Sequence, residues 1–366
     1  MNNLSPSNAS RRMACPGSHK LEALYPQDKS TYAIEGTAAH WVASELLRRN
    51  DWIIPSVTDV GTEITDEMIE GAQLYSGFIN SRIHPASGVH IEERMDIHSI
   101  HPNCWGTPDC WVLQSPTDID IYDYKYGRGF VEVYENWQLI EYAAGILDTL
   151  GINGILDQHM IIRMHVIQPR SFHPEGQIRT WSVRASELRP YFNILQNGEH
   201  AATHPSAKTT VSSECNHCAA RHACPALQTA SMASVDISTS AVPHNLSATE
   251  LATELRFLEH ASDLIMARIS GLSAEALALI QRGERLPHYY ATRSKGREKW
   301  KITTEQVIAL GELYGVELSK PKVVTPKQAI TEGLCDKQVR KYSETTYGEL
   351  KLMALDTRKT DKMFGD

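Results

Sequence analysis

Asp118-Ile119-Asp120-Ile121-Tyr122-Asp123-Tyr124-Lys125-Tyr126 is the stretch on which the reading of this chain turns. Its alternation predicts a β-strand over 118–126, with Ile119, Ile121, Asp123 and Lys125 on one face. The two isoleucines anchor that face in a core, and the acid and the lysine follow where the strand emerges. Asp123 can hold a divalent cation, and carboxylate oxygens suit Mg²⁺ or Mn²⁺. Lys125, one pleat on, can orient or help deprotonate a water aimed at the same phosphate. An isolated D-x-K is also a common surface ion pair, so its neighbourhood decides.

Before it, Gly106-Thr107-Pro108-Asp109 puts an acid at the entry of a predicted strand over 110–114. A turn at Ser115-Pro116-Thr117 then makes a hairpin that brings Asp109 beside Asp123. Val89 to Ile97 alternates as a further strand with Ile91, Glu93, Met95 and Ile97 on one face. Glu93 interrupts that apolar face, which is costly unless the acid is paired or metal-bound; Glu92 beside it leaves the register open. Helical spacing predicts a helix over 37–49 carrying His40, and a second over 65–81 capped by Thr65. A helix over 134–150 projects Gln138 and Tyr142, four apart, from one side. A strand over 159–168 ends at Pro169, and a helix comes next over 186–202. The expected fold class is therefore α/β, a mixed central β-sheet flanked by helices.

With 366 residues, 42% of them hydrophobic and 22% charged, the chain can bury a large core. The net charge of -8 does not advertise a general nucleic-acid binder, so any phosphate contact must be local. The first residues lack the apolar core of a signal peptide and no stretch suits a membrane span, so a cytoplasmic location is expected, with no membrane partner.

Three of the seven cysteines form Cys215-x2-Cys218-x5-Cys224, and Cys15 stands alone near the start. The spacing suits zinc or an iron-sulfur centre equally, with His217 or His222 available to a zinc site. Cys15 and Cys224 both precede prolines, in turn-like contexts. Cys104 and Cys110 flank Asp109 and are read as packing residues, and Cys335 as incidental.

These motifs resemble the PD-(D/E)XK nuclease superfamily, in its RecB-like branch. His40 in a first helix, Asp109 after a glycine, Asp123 with Lys125, and Gln138 with Tyr142 match that branch in order and spacing. The resemblance implies a restriction-endonuclease-like core in which His40, Asp109 and Asp123 hold Mg²⁺ or Mn²⁺ and the backbone carbonyl of Tyr124 completes the shell. It implies that Lys125 supports the attacking water and that Gln138 and Tyr142 contact DNA. Glu93 stands where some relatives use an extra glutamate. One cysteine before the core and three after it resemble the iron-sulfur subgroup of these nucleases, implying a [4Fe-4S] cluster on Cys15, Cys215, Cys218 and Cys224. Ser7-x3-Arg11-x3-Cys15-Pro16-Gly17-Ser18 and Gln168-Pro169-Arg170 are similar to a phage-encoded family of this branch.

The function implied by the resemblance is that of a metal-dependent DNA exonuclease acting on DNA with a free end in phage recombination or processing. A single-strand annealing or single-strand-binding protein would be its partner, in the cytoplasm of a bacterial host. Two rivals are a non-catalytic DNA-binding or assembly subunit on the same scaffold, and a zinc-binding structural protein. The expected division is a nuclease domain over 1–235 closed by the cysteine staple and a mainly helical domain over 236–366. The latter holds helices near 247–268, 273–282 and 303–314, a short strand near 288–292, and the basic run Arg293 to Lys299.

Overall fold

The structure is a computed structural model that describes residues 4–25, 31–49, 52–84, 87–152, 158–171, 173, 175–238, 247–320 and 322–354. Short helices α1 (Ala9–Ala14) and α2 (Ser18–Glu22) lead into α3 (Thr31–Arg48) and α4 (Asp66–Asn80). Thr65 caps α4 by accepting a hydrogen bond from the Met68 N–H, and Asp66 and Glu67 occupy the first turn, favourable at the positive end of the helix dipole.

Five strands form the central sheet: β1 (Gly88–Ile91), β4 (Cys110–Ser115), β5 (Asp118–Tyr124), β6 (Ile161–Ile167) and β7 (Ile178–Arg184), ordered β1-β4-β5-β6-β7. The hairpin β4-β5 is antiparallel, as are β1-β4 and β6-β7, whereas β5 and β6 run parallel and are joined through α5 (Trp137–Thr149). The sheet is mixed and helices cover both faces, which is the expected α/β class. Two short strands, β2 (Met95–Asp96) and β3 (Trp105–Gly106), pair beside it.

β5 decides which helix meets which chemistry. Ile119 and Ile121 are fully buried in one cluster with Leu139, Ile140 and Ala143 of α5 and Leu188 and Phe192 of α6 (Ala185–Thr203). Burying each isoleucine contributes roughly 1.5–3 kcal/mol. Tyr122 and Tyr124 point the other way, into a cluster with Ala39 and Val42 of α3 and Met68 and Tyr75 of α4. Asp123 and Lys125 therefore emerge on the α5 side.

The expected strand over 89–97 is two pieces. β1 stops at Ile91, and Glu92 takes a left-handed backbone (φ 52°) that ends the alternation before β2 begins. β7 is a strand that the sequence pattern does not predict.

After α6, α7 spans Pro225–Ser238 and α8 spans Ala248–Gln281. The segment after Ala230, linker-like in sequence, is helical to Ser238, and its residues 239–245 lie outside the described residues. α8 is continuous where two helices were expected. The chain divides into two compact units, Met1–Ile269 and Ser270–Asp366. The second contains α9 (Thr304–Tyr314), α10 (Pro326–Thr331), α11 (Asp336–Tyr342) and the short strands β9 (Ser319–Lys320) and β10 (Lys322–Val323). It also contains a long antiparallel pair, β8 (Tyr289–Trp300) with β11 (Ser343–Ala354), longer than the strand expected there. The basic run lies on β8, and side chains 294–299 lie outside the described residues. Among the described residues, no helix is long and apolar enough to cross a membrane.

Candidate active site and cysteine cavity

The β4-β5 hairpin brings Asp109 and Asp123 to the same end of the sheet. Asp109 ends the short connection from β3 to β4, and its Oδ2 accepts the Tyr124 N–H at 2.6 Å while Oδ1 lies 3.1 Å from His40 Nδ1 on α3. Tyr142 of α5 stays inside, 6% exposed, and its hydroxyl donates to the Thr107 carbonyl at 3.0 Å. That bond holds the turn carrying Asp109, so Tyr142 positions the acid.

Asp123 is 3% exposed. Lys125 Nζ lies 3.0 Å from both of its oxygens and donates to Oδ1; Gln138 Nε2 also donates to Oδ1, at 3.3 Å. Lys125 in turn donates to Gln138 Oε1 at 2.9 Å. Gln138 is held there by its helix start: the Asn136 side chain accepts the N–H groups of Gln138 and Leu139, a cap that contributes about 1 kcal/mol. Asp123 Oδ2 takes no well-directed hydrogen bond and has only the Lys125 ammonium beside it, at 3.0 Å.

The glutamate of the site is Glu92. Its N–H donates to the Asp109 carbonyl at 3.1 Å, and oxygens of Glu92 and Asp109 and a ring nitrogen of His40 lie within 4.8 Å of one another. Glu93 faces away, 59% exposed by side chain, with Oε2 2.7 Å from His90 Nδ1. The expectation for Glu93 fails because the backbone turn at Glu92 replaces the pleat on which the alternation rested. The acid beside it was the only sequence signal for Glu92.

The electrostatics are those of too many acids for the cations present. Burial and the neighbouring Asp109 push the Glu92 carboxyl up to about 7. Burial also raises Asp123, against the pull of Lys125 and with the push of Asp109. Burial works against ionisation of Asp109 as well, but His40 and the Tyr124 N–H hold it low. Burial opposes the charge on Lys125, yet Asp123 and Asp109 raise it, so the side chain is an ammonium at neutral pH.

α4 closes over this end of β5 at Gly71, where a Cβ would lie 2.6 Å from the Tyr124 hydroxyl and 3.1 Å from Pro169 Cγ. Next to it, Arg170 pairs with Glu35 at 3.0 Å and Glu67 at 3.1 Å and lies over the Tyr126 ring. Gln168, fully buried, donates to the carbonyls of Gly127 and Gly129. Nothing in the sequence pattern assigns Gln168 or Arg170 a role at the site.

Away from this site, Cys15, Cys215, Cys218 and Cys224 line one small cavity with Ser18, Thr210 and Leu227. All four are buried. The Thr210 N–H donates to Cys15 Sγ at 3.2 Å and the Ser212 N–H to Cys215 Sγ at 3.5 Å. Arg11 pairs with Glu22, which accepts the Ala219 N–H at 2.8 Å and so ties the N-terminal segment to the cysteine loop. Leu264 and Ala267 of α8 are buried against Cys215 and Cys224, and Arg268 donates to the carbonyls of Arg221 and His222. Cys104 and Cys110 are buried elsewhere, as packing residues would be, and Cys335 is exposed.

A family model described as "Protein of unknown function (DUF2800)" matches residues 2–342. Among solved structures, the chain is similar to a putative exonuclease from Eubacterium rectale at 11% identity, over 68% of this chain and 92% of that one, with a TM-score of 0.30. It is also similar to an alkaline exonuclease from Laribacter hongkongensis at 13% identity, over 55% of this chain and 90% of that one, with a TM-score of 0.20. The complex of LHK-Exo with dAMP gives 13% identity over 53% and 90%, with the same TM-score of 0.20.

Proposed function

The chain belongs to the DUF2800 family, and from its site we propose that it is a divalent-metal-dependent deoxyribonuclease, acting on DNA ends. The observation that carries this is the meeting of Asp109 and Asp123, beside Glu92, with His40, Lys125 and Gln138 at one end of β5. The residues present fit a hard cation: Glu92, Asp109 and His40 converge within 4.8 Å, and the two acids crowd without enough positive charge between them. His40, Glu92, Asp109 and Asp123 would hold it, with the Tyr124 carbonyl as the sequence resemblance implies. A nitrogen ligand favours Mn²⁺ over Mg²⁺.

When bound, such an ion supplies Lewis acidity at a phosphate oxygen and an acidified water. The side chains do the rest. Gln138 holds Lys125 in place, Lys125 presents a fixed ammonium to the attacked phosphate or its incoming water, and Tyr142 keeps Asp109 at its post. End-labelled linear DNA with Mn²⁺ tests the proposal: the wild type should cleave, and D123A and K125A should not. Retained cleavage in both would overturn it. Metal-independent DNA retention without cleavage would favour the non-catalytic subunit.

For the cysteine cavity we propose a [4Fe-4S] cluster. Its support is that four buried thiols, one from before the core and three from after it, line one cavity, the set that the sequence resemblance implies for a cluster. N–H donors to Cys15 and Cys215 suit thiolates of a cluster. A brown anaerobic preparation with iron and sulfide supports it; one zinc and no sulfide would refute it. The sequence resemblance to a phage branch supports end processing for recombination, with an annealing or single-strand-binding protein as partner.

A further inference from the structure

The segment from Tyr126 to Trp137 leaves the catalytic strand at Lys125 and returns to it at Gln138, and those two side chains are hydrogen-bonded at 2.9 Å. Both ends of the loop are thus fastened at the site. The loop is also held from beneath. Gln168 donates to the carbonyls of Gly127 at 2.9 Å and Gly129 at 2.6 Å, and Arg179 donates to the Val131 carbonyl and to Gln168 Oε1, each at 2.8 Å. Gln168 and Arg179 are 0% and 2% exposed, a buried polar pair whose bonds are given to this loop. Such networks rigidify what they hold.

With the carbonyls of residues 127, 129 and 131 turned inward, the residues between them stand outward. Arg128 is 62% exposed by side chain and Phe130 is 62% exposed. Among the described residues, Arg128 pairs with Glu67 at 3.4 Å on the surface, a contact of little strength and easily exchanged. Among the rings of the described residues, Phe130 touches only the edge of the His173 ring. The glycines on either side of Arg128 have no structural need: a Cβ on Gly127 or Gly129 would meet nothing within 4 Å, and neither has a left-handed backbone. Glycine with neither reason is suited to close approach by something outside the chain.

We propose that this loop grips the end of a single DNA strand, with Phe130 stacking on a base and Arg128 bonding the adjoining phosphate. The inference rests on the nuclease reading for the identity of the ligand, since a rigid loop fastened to the catalytic lysine stands where the substrate strand must pass. A cation beside an exposed aromatic ring is the pairing that binds single strands without reading sequence. It assigns Gln168 and Arg179 as positioning residues that act through the loop.

The test uses the full chain with Ca²⁺ in place of Mn²⁺ and a dye-labelled oligothymidylate, with a second oligonucleotide lacking the base nearest its end. F130A should bind the intact strand about 5- to 100-fold more weakly, and F130W should restore binding. Removing the base should weaken wild-type binding and leave F130A unaffected. R128A should weaken binding of both strands alike and reduce the slope of log affinity against log salt by about one. Binding by F130A equal to the wild type, or a base-removal loss that persists in F130A, overturns the inference; a loop meant for a protein partner would give that result. A wild type that binds but does not cleave with Mn²⁺ removes the nuclease reading and leaves the strand grip standing. A wild type that does not bind the oligonucleotide removes the grip.

Discussion

β5 carries two buried aspartates, Asp120 at 1% and Asp123 at 3% exposure, and the strand solves the cost of each in opposite ways. Asp120 is surrounded by donors: Gln114 Nε2 at 2.9 Å, the Tyr122 hydroxyl at 3.1 Å and Arg163 at 3.3 Å, with Arg82 at 3.7 Å and His165 at 3.8 Å. Burial works against its ionisation, but His165 and Gln114 prevail and hold the carboxyl far below the usual range. Asp123 has Lys125 and Gln138 and faces a second acid, so burial wins and its carboxyl is raised. A buried acid that its own chain satisfies is structural; one that its chain leaves short of positive charge is prepared for a cation.

The largest effect expected from this contrast is on cleavage. D123N should lower the single-turnover rate on end-labelled linear DNA by roughly 10³-fold, the equivalent of about 4 kcal/mol of lost charge stabilisation. Its urea midpoint should hold or rise, because an under-compensated buried charge is removed. D120N is the converse. Breaking one partner of a buried ionic network costs about 3–5 kcal/mol, visible in the same urea titration, while the rate per folded molecule stays within a few-fold of wild type. Equal stability losses in the two variants would break the contrast.

A smaller effect sharpens how the end of β5 that carries Asp123 is held. G71A puts a methyl 2.6 Å from the Tyr124 hydroxyl and 3.1 Å from Pro169, and overpacking of this kind costs about 1–3 kcal/mol. Displacing Tyr124 also displaces the N–H given to Asp109, so metal affinity should fall along with stability. Isothermal titration with Mn²⁺ checks this. Unchanged affinity in a destabilised G71A would show that Asp109 does not depend on the α4 contact.

Most of β5 is legible in the sequence because its two faces differ in kind: isoleucines mark one core, tyrosines the other, and the acids stand out against both. The gathering of Asp109, Asp123, Lys125 and Gln138 is legible for the same reason, since a hairpin and a capped helix leave few alternatives for their placement. Glu92 is not, because a single left-handed residue reverses which of two adjacent glutamates faces the site, and alternation carries no sign of it. β7 is hidden by Arg179, which shares the inward face with Trp181 and Val183 and is itself 2% exposed. Its charge breaks the apolar pattern, and its partners, Gln168 and the carbonyls of Gly176 and Val131, become visible only in the fold. α8 reads as two helices, near 247–268 and 273–282, although one helix runs through both.

Glu141 shows a third solution to burying an acid, between the other two. It is fully buried on α5 and shares the Arg12 guanidinium, 3.5 Å away, with Glu199, which takes the closer bonds at 2.7 Å. One cation cannot neutralise two carboxylates, and burial together with the charge of Glu199 pushes Glu141 up to about 8 despite Arg12. Its unfolded value is near 4.5, so the folded protein binds the extra proton between those values. Stability therefore falls as pH rises through that window, and the contribution of the proton is gone above about pH 8. E141Q keeps the shape and cannot ionise. Between about pH 5 and pH 9 the wild type should lose roughly 4 kcal/mol relative to E141Q, read from paired urea titrations. Taking the difference removes the parallel contribution of Glu92 in the metal-free protein. Curves that stay parallel would mean that Glu141 is ionised throughout, sharing Arg12 as fully as Asp120 shares its donors, and that the carboxylates of this chain divide into two kinds and not three.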